Sequence, residues 1–225
     1  MFDAGGTLVH PDWLRLGQLI AEETGQEFTP AQMNHAFYRL LRIVDAELLK
    51  GTESTQRRQP HWGFLGAFRN LGVDEAACNR LGQRLNAAHL SRHLWCEPDE
   101  EAPAVLHRLR SAGLRIAVIS NTEDGRLEDS LKLAHLRSQF EFLIDSHVVG
   151  HRKPESTIFH LALDRFGLEP HVAVYVGDSY GYDVMGAQKA GLLPILLDRL
   201  GTYEDVECAR IRKLSDLTGS SNLFR

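Results

Sequence analysis

Hydrophobic residues recur at helical spacing through the first part of the chain and gather into short runs after it. Leu14, Leu16, Leu19 and Ile20 predict an apolar helix stripe that ends near Gly25. Thr29 followed by Pro30 reads as an N-cap with proline at the first helical position. The helix it opens carries Phe37, Leu40, Leu41, Ile43, Val44 and Leu48 and stops at Gly51. The segment GTESTQRRQP reads as a polar loop, and two further helices follow over His61–Leu71 and Asp74–Leu90, parted by Gly72. No strand is expected between Pro11 and about His93, which reads as a unit of four helices.

After WCEPDEEA the period changes. A helix over Glu101–Ala112 ends at Gly113, and then come LRIAVIS, FLID, VAVYVG and PILLD. Such short β-branched runs suit strands buried on both faces of a parallel sheet. Helical segments over Gly125–Leu136, Glu155–Phe166 and Tyr182–Ala190 separate them. Strands alternating with helices mean a parallel sheet covered on both sides, so the four-helix unit is inserted between a first strand and the rest of an α/β core.

Composition changes this picture little. A chain of 225 residues with 43% hydrophobic and 24% charged residues suits a globular core with an inserted unit. The net charge of −5 is spread without a basic tail, which argues against nucleic acid and anionic membranes as partners. No apolar run reaches the roughly 18 residues of a spanning helix, and no secretory signal opens the chain. Cys78, Cys96 and Cys208 show no metal-like spacing, so reduced thiols in the cytoplasm are expected. Oligomeric state is not legible.

In open α/β sheets the ligand sits beyond the carboxyl ends of the strands. Those ends carry Asp3, Ser120 with Asn121, and Asp178, with Lys153 and Asp183 just before or at helix starts. Three carboxylates and one lysine in one cleft repel each other unless a hard cation joins them, and Mg²⁺ takes carboxylates, water and phosphate oxygens. The glycines of DAGGTL allow backbone N–H groups to approach an anion.

These motifs resemble the haloacid dehalogenase-like hydrolase superfamily. The resemblance rests on FDAGGTL, VISN, RKP and GDSYGYD, and it spans nearly the whole chain. It implies a Rossmann-like parallel-sheet core over residues 1–10 and 96–225, with an all-helical cap domain over 11–95. It implies that Asp3 attacks phosphorus to form an aspartyl-phosphate, and that Ser120 and the N–H groups of Gly6 and Thr7 bind phosphate oxygens. Asn121 would join the substrate-binding set, and Lys153 would neutralise charge between nucleophile and phosphate. Asp3, Asp178, Asp183 and the carbonyl of Gly5 would hold Mg²⁺. The substrate would be a small phosphorylated metabolite, chosen by a cap that closes over the site.

Phosphatases of this superfamily carry a second aspartate two residues after the nucleophile, and here that position is Gly5. Such an acid–base group is worth about 10²–10⁴ in rate. Three readings stay open: a Mg²⁺-dependent phosphatase in which another group such as His10 substitutes, a metal-independent 2-haloacid dehalogenase whose halide leaves without a proton, and an impaired protein that binds or regulates. Phosphonoacetaldehyde hydrolases also lack this aspartate, but their chemistry needs a cap lysine, and only Lys50 is on offer. His61, Trp62, Arg39 and Arg42 are further cap residues that could face a substrate. Only Met1 and Phe2 precede Asp3, fewer than the roughly 5–6 residues of a typical strand. About five or more apolar residues are therefore expected upstream.

Overall fold

The computed structural model describes residues 1–52, 60–203 and 206–219. The polar loop expected over GTESTQRRQP lies mostly outside them. The chain divides into two compact units, Met1–His10 with Trp95–Arg225, and Pro11–Leu94.

The second unit is built on α1 (Trp13–Thr24), α2 (Pro30–Leu49), α3 (Trp62–Asn70) and α4 (Glu75–Ser91). Asp12 caps α1, and Thr29 caps α2 in a reciprocal capping box with Gln32. Each cap satisfies N–H groups that a helix start leaves without partners. Within α1 the buried positions are Leu16 and Ile20, four residues apart, whereas Leu14, expected in the stripe, is exposed. On α2 the buried set is Met33, Ala36, Tyr38, Leu41, Val44 and Asp45, and Ile43 turns outward. The expected stripes were too wide, because a helix buries one sector and not every apolar residue near it.

The first unit holds β1 (Val9–Pro11), β2 (Trp95–Pro98), β3 (Val118–Ser120), β4 (Leu143–Asp145), β5 (Val174–Gly177), β6 (Leu193–Leu197) and β7 (Ala209–Ile211). Its helices are α5 (Ala102–Ser111), α6 (Leu127–Leu133), α7 (Ser146–Val149), α8 (Ser156–Phe166), α9 (Met185–Lys189) and α10 (Asp216–Gly219). Phe2 bridges Val118 on one side and Val176 on the other, both in parallel. The spatial order is therefore β4, β3, the Met1–Phe2 segment, β5, β6, β7, all parallel. The Met1 amine is buried and donates to the Val174 carbonyl at 2.7 Å.

Side chains alternate across this sheet with period two. Phe2, Val118 and Val176 join one core with Val105, Leu106 and Leu109 of α5 and with Leu131 of α6. Met1, Ala117, Ile119 and Tyr175 join another with Ile158, Phe159 and Ala162 of α8 and with Ala187 of α9. Burial on both faces explains why the strands read as continuous apolar runs.

Three features were not expected. The pair β1–β2 is a short ribbon that flanks the segment read as strand-free. Tyr180–Val184 winds as a π-helix before α9, where a regular helix was expected. The elements β7 and α10 follow PILLD, where no further structure was read. Three-residue strands such as β1 and β7 carry too few alternations to show a period. Among the described residues, no helix is long and apolar enough to cross a membrane.

Candidate active site

Asp3 follows the central segment directly. Its N–H donates to the Val176 carbonyl at 2.8 Å, so the ladder to β5 fixes where its carboxylate emerges. The next residues form a tight turn in which Leu8 and Val9 both donate to the Ala4 carbonyl, at 2.8 and 2.9 Å. The N–H of Gly6 donates to Val9 at 2.8 Å and that of Thr7 to Ala4 at 3.3 Å. These two amides, expected to face a phosphate, are thus engaged in closing the turn. What Thr7 retains is its hydroxyl, which is buried without a hydrogen-bond partner.

Lys153, 3% exposed, lies among acidic groups. Its Nζ donates to Asp3 Oδ1 at 2.6 Å, to Asp183 Oδ1 at 2.6 Å and to the Tyr175 hydroxyl at 3.0 Å. The Tyr175 hydroxyl in turn donates to the Ile119 carbonyl at 2.8 Å. Asn121 holds the lysine's main chain, accepting from Lys153 N–H at 2.8 Å and donating to its carbonyl at 3.0 Å. Asn121, expected to touch substrate, therefore positions Lys153. Ser120 ends β3 and is buried.

Asp183 sits in the π-helix and accepts the Ser179 N–H at 3.0 Å on the oxygen that Lys153 leaves open. Asp178 follows β5 and is also buried. Asp3, Asp178 and Asp183 each bring a carboxylate oxygen within 4.8 Å of the others. Burial pushes Asp3 up to about 6, Asp183 adding to the effect, although Lys153 pulls against it. Burial, then the charges of Asp3 and Asp183, raise Asp178 well above its ordinary value. Burial works against the charged lysine, yet Asp183 and Asp3 more than offset it and hold Lys153 above its ordinary value. One ammonium thus faces three clustered carboxylates. The donor set is all oxygen, closely spaced and short of positive charge, which fits a hard divalent cation.

Gly177 is what lets Asp183 lie against the end of β5. A Cβ there would stand 2.3 Å from Asp183 Cγ, closer than any real contact. Gly177→Ala is expected to displace that carboxylate and lower activity. It should also cost about 1–3 kcal/mol of stability, as overpacking does. Activity assays and denaturant melts check this, and a variant matching the parent in both would place Asp183 elsewhere.

Two residues of this end of the sheet were missed in the sequence. Arg199, just past β6, donates to the carbonyls of Gly6 at 3.2 Å and Thr7 at 3.0 Å, and pairs with Asp99 at 2.7 Å. Asp99 also meets His10 Nε2 at 3.2 Å. Burial pushes Asp99 up, but the His10 hydrogen bond and the Arg199 charge hold it below the usual range. His10 is thereby joined to a brace that pins the Asp3 turn to β6 and α5. The signal for Arg199 was its place at a strand's carboxyl end, one residue past the run read as PILLD.

Gly5 lies two residues from Asp3, outside the left-handed region. A Cβ on it would meet the indole of Trp95, with Cζ3 at 3.2 Å and Cε3 at 3.3 Å. The place beside Gly5 is filled by an aromatic carbon edge.

A parallel sheet with a carboxylate–lysine cluster at its carboxyl edge defines a hydrolase of the haloacid dehalogenase type. The model of the haloacid dehalogenase-like hydrolase family matches residues 1–191, and the chain belongs to that family. It is 40% identical over 134 residues to haloacid dehalogenase-like hydrolase domain-containing protein 3 of Mus musculus, covering 59% of this chain and 53% of that one. The match thus spans about half the length of that relative. A phosphoserine phosphatase of Thermus thermophilus is 35% identical over 176 residues, with 76% and 71% of the two chains covered. (S)-2-haloacid dehalogenase 4A of Burkholderia cepacia is 27% identical over 226 residues, covering 96% and 91%. Among solved structures, a Bacillus subtilis HAD-hydrolase bound to magnesium superposes with a TM-score of 0.70 at 18% identity, over 97% of this chain and 95% of that one.

Proposed function

We propose that this hydrolase is a Mg²⁺-dependent phosphatase acting on a small phosphorylated metabolite. The observation that carries the reading is the cluster of Asp3, Asp178 and Asp183 around a single lysine. Asp3, Asp178, Asp183 and the Gly5 carbonyl would hold Mg²⁺, which when bound offsets the charge of the phosphate and of the carboxylates. Asp3 is the nucleophile, and it stays oriented because Lys153 grips one oxygen while the β5 ladder holds its backbone. Lys153 stabilises charge on the equatorial oxygens in transfer. Ser120 and the Thr7 hydroxyl are the groups suited to bind phosphate oxygens. The Thermus phosphatase and the magnesium-bound Bacillus fold are in keeping with this reading.

A second reading, 2-haloacid dehalogenase chemistry, is favoured by the apolar filling beside Gly5, since halide departs without a proton, and by the Burkholderia relative. Against it, the uncompensated carboxylates would repel a carboxylate substrate. A phosphate-release screen in Mg²⁺ and in EDTA, beside halide release from 2-chloropropionate, separates the two. Metal-dependent phosphate release is expected, and Asp178→Ala should weaken the metal dependence and the rate together. Metal-independent halide release would overturn the proposal in favour of the second reading.

A further inference from the structure

Among the described residues, several proton donors near Asp3 are already engaged. Lys153 is engaged by two carboxylates and a hydroxyl, and the Tyr175 hydroxyl donates a hydrogen bond to the Ile119 carbonyl. His10 faces Asp99. Among the described residues, the atoms nearest to where a Gly5 side chain would begin are the Trp95 ring carbons Cζ3, Cε3 and Cη2, at 3.2–3.6 Å. That edge of an indole carries no exchangeable proton. Trp95 is held there from both sides. Its carbonyl accepts from Ser130 at 2.7 Å, and its ring packs partly buried against the core of Phe2, Leu106 and Leu131.

Resting on the phosphatase reading above, we propose that Trp95, packed over Gly5, restricts the site to phosphates whose leaving group departs unprotonated. Aryl and acyl phosphates are of that class, and simple alkyl phosphates are not. In the first step an oxygen of Asp3 forms a bond to phosphorus while the bond from phosphorus to the leaving oxygen breaks. The bonding pair stays on that oxygen, which leaves as a phenolate or carboxylate and takes up a proton, where its basicity demands one, from bulk water. Water then attacks the phosphoryl group, releases its proton to solvent and returns Asp3 as carboxylate with inorganic phosphate. An alkoxide formed in the first step is far more basic, and the described atoms nearest a Gly5 side chain, the Trp95 ring carbons, have no proton to give it.

The test is a leaving-group series. Phosphate release in Mg²⁺ is compared for 4-nitrophenyl, phenyl and propyl phosphates, with the parent, Gly5→Asp, and Gly5→Asp combined with Trp95→Ala. The parent should favour the aryl substrates over propyl phosphate by about 10²-fold or more in kcat/KM, the scale of an absent general acid. The double variant should narrow that gap by about tenfold or more. Gly5→Asp alone should narrow it less, because the indole obstructs the new carboxyl group. Equal kcat/KM for aryl and propyl phosphates in the parent would overturn the inference and leave the phosphatase reading standing. So would a folded double variant with an unchanged gap, or a single variant that narrows it as much as the double. Should the double variant not fold, the parent's series alone decides. Failure to release phosphate from every substrate would overturn the phosphatase reading and this inference with it.

Discussion

Asp3→Asn is expected to abolish turnover and yet leave metal-free protein at least as stable as the parent. An amide is a poor nucleophile, so on the proposed reading the bond to phosphorus would not form. The stability effect has the opposite sign. Asp3 is buried with Asp178 and Asp183 close by, and its carboxyl is pushed up to about 6 by that burial. An ionised group held in a setting that disfavours its charge weakens the fold, because the unfolded chain solvates it better. Asparagine keeps the shape, can still accept from Lys153, and removes one acidic group from the cluster. Phosphate release and thermal melts in EDTA check both halves. Turnover above the rate without enzyme would exclude Asp3 as nucleophile, and a lowered melting temperature would mean that Lys153 gains more from Asp3 than the other carboxylates lose. Such a trade of stability for activity is common where like charges are gathered for chemistry.

Lys153→Met should fail in both respects. Methionine matches much of the stem's volume but leaves Asp3 and Asp183 buried without the ammonium that both contact at 2.6 Å. Removing one partner from a buried ion pair costs about 3–5 kcal/mol. That is a large part of the roughly 5–15 kcal/mol that holds a typical domain. For a chain of this size the melting temperature should fall by about 6–20 °C. On the proposed phosphatase reading, activity should vanish with that charge. The two variants are coupled through one contact, so in the double variant Asp3→Asn should recover part of the stability lost by Lys153→Met. Strict additivity of the two melts would mean that the contact contributes nothing.

Asp3, Lys153, Asp178 and Asp183 could be singled out in the sequence because each stands where a period ends. Asp3, Ser120 and Asp178 follow apolar runs, and Lys153 and Asp183 precede or open helical segments. The roles of their neighbours were not legible. Asn121 and Lys153 are 32 positions apart in the chain, yet Asn121 spends both amide atoms on the main chain of Lys153. The amides of Gly6 and Thr7 look available in sequence because a turn's internal hydrogen bonds depend on backbone angles that residue types leave open.

What the sequence by itself determined is the class of fold, the insertion of a helical unit, and the order of charged groups along one sheet edge. Those follow from local periodicity, which burial imposes on every strand and helix separately. What only the tertiary structure decided is who meets whom across the chain. Arg199 reaches the turn after Asp3 from 192 residues away. Asp183 lies so close to Gly177 that no side chain fits between them, and Trp95 covers Gly5 from 90 positions on in sequence. Such contacts arise when separate elements pack, and their spacing in the chain carries no period from which to read them.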